Sequence, residues 1–265
     1  EQLERGNLSG IYVLSRAQQE LRSLFRQRQD KVQEMVRANN RLKSCMMFFG
    51  VSLPESVGKK EYLSLKALAW LDNYEMNTPA GKITLRQYAE DLKYQRKQLY
   101  QTTKLLHTQV RAAHARTYEC IISIPGVGAT TAMAMVAEIA DFSRFKGPDE
   151  YCSFLGLCPW EDSSGDIVKT KGMQPRCNRQ LRPLLIEASW AAIKKSPVLF
   201  AYYSKHAAKN SKAAIVKVSR KVALTIRAVA LNGQPYQAGY AHPQQQPQKK
   251  TPDVRFSLGM AEQQL

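Results

Sequence analysis

From about Ser15 to Phe49 apolar side chains recur every three or four residues, at Leu21, Leu24, Val32, Met35, Leu42, Met46 and Phe49, and Arg28 and Asn39 occupy two further positions of the stripe. The spacing predicts one long amphipathic helix that stops at "FFGVSLPE", where Gly50 caps and Pro54 breaks. A shorter helix is expected around Glu61 to Asn73, then a turn at "NTPAGK", where Pro79 and Gly81 are turn residues. Leu85, Tyr88, Leu92, Leu99 and Leu106 then keep to a seven-residue repeat, with Gln95 and Thr102 as polar seam positions, which predicts a second long helix from about Thr84 to Ala115. Residues 1–115 therefore read as an antiparallel helical hairpin or coiled coil. Polar residues in both stripes specify one pairing over others, and a homo-dimer or higher oligomer and a plain supporting bundle both fit them.

Between Arg116 and Gln237 the pattern changes to short apolar stretches punctuated by Gly and Pro, which predicts a compact helical domain. The tail over 238–265 is rich in Gln, Pro and Lys, can bury little, and is expected to be disordered. The fold class is mainly α.

Charge narrows the partners. The 265 residues carry 39 Lys and Arg against 22 Asp and Glu, a formal charge of +17, more than solubility requires and typical of a chain that meets nucleic acid. An acidic membrane surface is the competing partner, but no run is long and apolar enough to span a bilayer and the start "EQLERGNLSG" has no signal-peptide core, so the cytoplasm is the expected compartment. Cys45, Cys120, Cys152, Cys158 and Cys177 lack zinc spacing and the four histidines form no pair, so no metal site of this kind is expected in the chain.

Two stretches carry candidate chemistry. In "IISIPGVGATTAMAMVAEI", Pro125-Gly126-Val127-Gly128 separates an apolar segment from a helix expected over Ala129 to Ile139. That is the layout of a helix-hairpin-helix, in which Gly126 and Gly128 would let amides at the helix start face a phosphate. The same glycines would also serve close helix packing alone. Further on, "PWEDSSGD" places Ser163 and Ser164 in a loop followed by Lys169, Lys171, Arg176, Arg179 and Arg182. A serine needs a base, a metal or a charge stabiliser to react, and arginines can hold a phosphate. By composition alone Asp162, Ser163, Ser164 and Gly165 are ordinary turn residues.

The ordered blocks "IPGVGATTAMAMVAEIADFSRF", "YCSFLGLCPWEDSSG", "RCNRQLRPLLIEASW" and "YYSKHAAKNSKAAIVKVSRKV" resemble the C-terminal domain of the Piv/MooV-type transposases, the insertion-sequence family 110 recombinases. The likeness runs from about Ile121 to Tyr236, and the stretch before it resembles the helical segment that follows the family's catalytic N-terminal domain. The resemblance implies an enzyme, a DNA transposase, whose Ser-Gly step supplies a nucleophile that becomes covalently joined to DNA. Here that step is Ser164-Gly165, with Ser163 the runner-up. The family's Asn-x-x-Leu-Arg block falls on Asn178, Leu181 and Arg182, and the glycine that often precedes its Asn is Cys177. It further implies a structured guide RNA and an RNase H-like domain whose acidic residues bind divalent metal such as Mg. No such carboxylate set stands in this sequence, so a piece of a longer transposase, inactive alone, is expected, with a natural remnant that has lost its metal domain as the alternative. A non-enzymatic helix-hairpin-helix module that binds DNA or RNA, or a coiled-coil adaptor, are the alternatives.

Overall fold

The structure, a computed structural model, describes residues 11–57, 62–161 and 170–237. Among them the chain is mainly α, as expected, with one two-stranded ladder. Helix α1 (Arg16–Phe48) starts at Ser15, whose hydroxyl accepts from the Gln18 amide at 3.3 Å while the Ser15 amide donates to the Gln18 side chain at 3.0 Å. Gly50, at φ +68°, leads the chain out of it. Helix α2 (Leu65–Asp72) begins later than expected because Ser64 caps it, accepting from the Ala67 amide at 3.1 Å. Helix α3 (Pro79–Ile122) is capped by Thr78 and opens on Pro79, whose missing amide hydrogen costs nothing in a first turn.

Helices α1 and α3 pair antiparallel. Arg28 donates to Thr103 Oγ1 at 3.2 Å and Arg41 pairs with Asp91 at 2.8 Å, so one number rises as the other falls. Two of the polar stripe positions are buried and hydrogen-bonded. Asn39, 1 % exposed, accepts from the Leu63 amide at 3.0 Å, and Thr102, also buried, donates to the Gln98 carbonyl at 2.9 Å. Leu42, Met46, Leu68, Leu71, Leu85 and Leu92 fill the far end of the hairpin as a core of their own. Each such side chain contributes about 1.5–3 kcal/mol of burial.

The long second helix is interrupted where the sequence expects its end. His114 has φ −140° and ψ 36°, and helix resumes to Ile122. The turn is sharp: His107 Nε2 lies 3.1 Å from the Tyr118 hydroxyl. In a straight helix those residues would stand about 16 Å apart along the axis, beyond the reach of two rings. The chain therefore doubles back at His114, carrying Tyr118, Cys120 and Ile121 into a second core.

That core is built on α4 (Ala129–Ile139), buried at every position from Thr131 to Ile139. Such a helix must be largely apolar all round, and its sequence is, apart from two threonines in the first turn and one charge at Glu138. Around it lie α5 (Pro148–Leu155), β1 (Pro159–Glu161), β2 (Thr170–Met173), α6 (Leu181–Lys195), α7 (Pro197–Ala207) and α8 (Ser211–Asn232). Phe25 of α1 and Leu106 and Val110 of α3 belong to the same core, which fastens the hairpin to the helical region. Among the described residues no helix is long and apolar enough to cross a membrane.

Candidate nucleic-acid interface

The loop singled out in the sequence is framed by the β-ladder. Strands β1 and β2 run antiparallel, with Pro159 opposite Met173 and Glu161 opposite Thr170, and a register shift between the two pairs. Ser163, Ser164 and Lys169 fall between the strands and lie outside the described residues. Lys171 sits in β2.

The foot of this ladder is firmly tied. The Gln174 amide donates to the Cys158 carbonyl at 3.1 Å, and the Ser153 hydroxyl of α5 donates to the Gln174 side chain at 3.0 Å. Arg182, at the start of α6, donates to the Gln174 carbonyl at 3.0 Å and reaches that of Gly156 at 3.4 Å. Gly156 has φ +69°, and a side chain there would come within 2.5 Å of the Cys177 Cβ, so the small residue at 156 makes room for the cysteine at 177. Asn178 is a junction: its amide donates to the Phe154 carbonyl, its Oδ1 accepts from the Gln180 and Leu181 amides at 3.0 and 3.1 Å, and its Nδ2 donates to Glu138 at 2.8 Å. The expected binding residues Asn178 and Arg182 thus serve the architecture, while Arg176 and Arg179 stand exposed with no ion pair to another described residue.

Glu138 is fully buried, and a buried carboxylate is tolerable only when paired and hydrogen-bonded. Arg26 of α1 grips it with two nearly parallel bonds, Nε to Oε1 at 2.8 Å and Nη2 to Oε2 at 3.1 Å. That hydrogen bonding holds the Arg26 guanidinium above its ordinary value. Arg22, one turn earlier, donates to the Glu138 carbonyl at 2.6 Å, and its Nε lies 3.4 Å from Oε2 without a hydrogen bond. Loss of water pushes the Arg22 guanidinium down, an effect the carboxylate only partly offsets and the neighbouring Arg26 adds to. An open cleft of about 380 Å³ lies here, lined by both arginines, Glu138, Phe154, Arg176 and Asn178 among others. On the ring of Phe154 rests the Arg144 guanidinium, 4.7 Å from the centroid, also stacked on Phe145 and Tyr12. Its Nε and one Nη are buried without a partner among the described residues.

Sequence reasoning missed Glu138, Arg22, Arg26 and Arg144. One signal was available: a single carboxylate in the otherwise apolar "ATTAMAMVAEI" requires a cation from elsewhere in the fold. Which cation answers it is a tertiary fact.

At the glycine turn the structure separates two residues that look alike in sequence. Gly126 has φ +92°, and a Cβ there would fall 2.3 Å from the Ala192 backbone nitrogen of α6, so this glycine is required by packing. Gly128 caps α4 in an extended conformation, exposed, with open space around it. On the far flank, no Asp or Glu occurs between Glu187 and Asp253. Lys205, Lys209, Lys212, Lys217 and Lys221 are all exposed there, and Lys221 lies 3.9 Å over the Tyr202 ring. Among the described residues no group of three or more His, Cys, Asp or Glu converges to hold a metal ion, so the divalent metal implied by the sequence resemblance finds no ligand set in them.

Residues 118–204, from the last turns of α3 into α7, match the family described as Transposase IS116/IS110/IS902 family. The chain is 25% identical over 188 residues to the putative transposase y4qE of Sinorhizobium fredii, covering 71% of this chain and 44% of that protein. It is 23% identical over 189 residues to the transposase for insertion sequence element IS1328 of Yersinia enterocolitica, covering 71% of this chain and 54% of that protein. A shorter likeness, 33% over 88 residues, covers 32% of this chain and 24% of the transposase for insertion sequence element IS1111A of Coxiella burnetii. The chain spans about half the length of the first two.

Proposed function

We propose, from the premise that this chain carries a domain of the IS116/IS110/IS902 transposase family, that it is the DNA-gripping and nucleophile-bearing part of an insertion-sequence recombinase. In this reading Ser164 Oγ forms a bond to a DNA phosphorus as the bond to a sugar oxygen breaks, and the serine proton ends on the departing sugar hydroxyl. One phosphodiester is exchanged for another, so rejoining needs no ATP. The divalent metal that the resemblance implies would be held by carboxylates outside the described residues. A structured guide RNA and a site shared between two or more protomers belong to the same reading.

The observation that carries it is the position of the ladder: the strands leading into and out of residues 162–169 are tied down at the centre of the family match, beside a cleft lined by arginines. Arginines near a phosphate under attack would offset its developing charge. The test is trapping of covalent protein–DNA adducts by a full-length protein that contains these residues after an RNase H-like domain. Wild type and Ser163→Ala are expected to form the adduct and Ser164→Ala to lose it. An adduct that persists in Ser164→Ala removes that serine from the mechanism.

The second reading is a binding module without chemistry, favoured by the acid-free run after Glu187 and its exposed lysines. It predicts that the chain binds DNA with a steep salt dependence and that no serine substitution alters any strand-transfer product.

A further inference from the structure

We propose that the cleft between α1 and the α5–α6 corner, lined by Arg22, Arg26 and Arg176, binds a phosphate group, and that the phosphate belongs to a nucleic-acid strand running past the foot of the β-ladder. The second half of this statement rests on the nucleic-acid reading above; the first does not.

The argument begins with the balance of charge. Glu138 is the carboxylate of this cleft, and its two oxygens are taken by Arg26 and Asn178. Three arginines, Arg22, Arg26 and Arg176, thus share this single carboxylate, so the lining carries an excess of positive charge, and Arg176 has no ion pair to another described residue. The lining is also short of an acceptor. Of the lining arginines, Arg22 has its Nε without a hydrogen-bond partner among the described residues. A buried donor left unmade costs about 1–3 kcal/mol, so the cleft is more stable when an acceptor enters it.

The form of the acceptor follows from the donors. Guanidinium forks match the paired oxygens of a phosphate and remain charged at any working pH. Arg144, set 4.4–4.8 Å from the centroids of three rings, one of them the Phe154 that lines the cleft, adds a further positive charge next to it. The cleft is open on one side, so a phosphate can enter while still attached to a chain. It adjoins Ser153, whose hydroxyl is bonded to Gln174 just past β2, so an occupant would sit at the base of the ribbon that carries the serines.

The experiment uses the whole 265-residue chain and a fluorescently labelled single-stranded oligonucleotide, with anisotropy followed across salt concentrations. Arg176→Ala removes an exposed arginine with no described ion pair, so folding is expected to survive, as circular dichroism would report. Binding is expected to weaken roughly tenfold. The slope of log affinity against log salt should flatten by about 0.7, the share of one phosphate contact on a single strand. Arg37→Ala, an exposed arginine farther along α1, is expected to change neither quantity. Arg22→Lys keeps the charge and loses the fork, and is expected to weaken binding with the slope retained. Equal losses in Arg176→Ala and Arg37→Ala, or displacement of the oligonucleotide by a glutamate-rich peptide as readily as by inorganic phosphate, would overturn the proposal.

A second arm identifies the source of the phosphate. Inorganic phosphate is added at constant ionic strength, and the melting temperatures of wild type and Arg176→Ala are compared. Stabilisation of wild type alone assigns a site that free phosphate can fill, and stabilisation by the oligonucleotide only assigns a phosphodiester. If wild type binds no oligonucleotide, the nucleic-acid reading fails, and the inorganic phosphate arm alone decides whether the cleft takes phosphate.

Discussion

Gly126 and Gly128 stand two apart in the sequence and look interchangeable there, yet they do different things. Gly126→Ala would drive a methyl group into the Ala192 backbone at a φ that L residues avoid, and is expected to cost about 2–5 kcal/mol. Gly128→Ala meets nothing within 4 Å and should cost less than about 1 kcal/mol in urea denaturation. If Gly128 serves phosphate contact, its substitution weakens DNA binding at nearly unchanged stability; binding equal to wild type would leave packing as the whole purpose of the motif. The sequence suggested both roles because a glycine records freedom of the backbone without recording what approaches it. Asn178 was marked by the family resemblance, and Arg182 by the resemblance and the basic cluster, but their hydrogen bonds are to the fold's own carbonyls, amides and Glu138, which neither signal reveals.

At the level of elements the helical pattern was readable because periodicity and caps agree: α1 and α4 begin and end within a residue or so of where the apolar stripe and the Ser or Gly signals place them. The reversal inside α3 was only half readable. The seven-residue repeat ends near Ala115, but nothing local says that helix resumes and folds back, since that depends on Tyr118 and Ile121 finding the core. The reversal carries a titratable group. Loss of water holds the His114 imidazole below its ordinary value of 6.5, so the unfolded chain takes up a proton that the folded chain resists. This contribution to stability is complete above pH 6.5 and is lost as pH falls through the folded value. His114→Gln should flatten the stability profile below pH 6.5 in urea titrations; an unchanged slope would place the acid sensitivity elsewhere.

For the molecule as a whole, the two separate cores predict two levels of local stability. The far end of the hairpin rests on a small cluster around Leu42, Leu68 and Leu92, whereas its near end is built into the larger core through Phe25, Leu106 and Val110. Leu42→Ala is expected to remove about 2–5 kcal/mol from the far cluster. Amide exchange should then quicken in α2 and the facing turns of α1 and α3 while α4 keeps its protection, and a uniform loss would mean that the two cores unfold together. The near attachment has a mechanical meaning too. Helix α1 runs about 30 Å beyond Arg26, so the clasp of Arg22 and Arg26 on Glu138 is a fulcrum close to one end of a stiff beam. A tilt of about 5° there sweeps the tip through about 3 Å, by the lever arm that helix length sets. The reverse also holds: a load applied at the tip arrives magnified at Glu138, and through Asn178 at the start of α6.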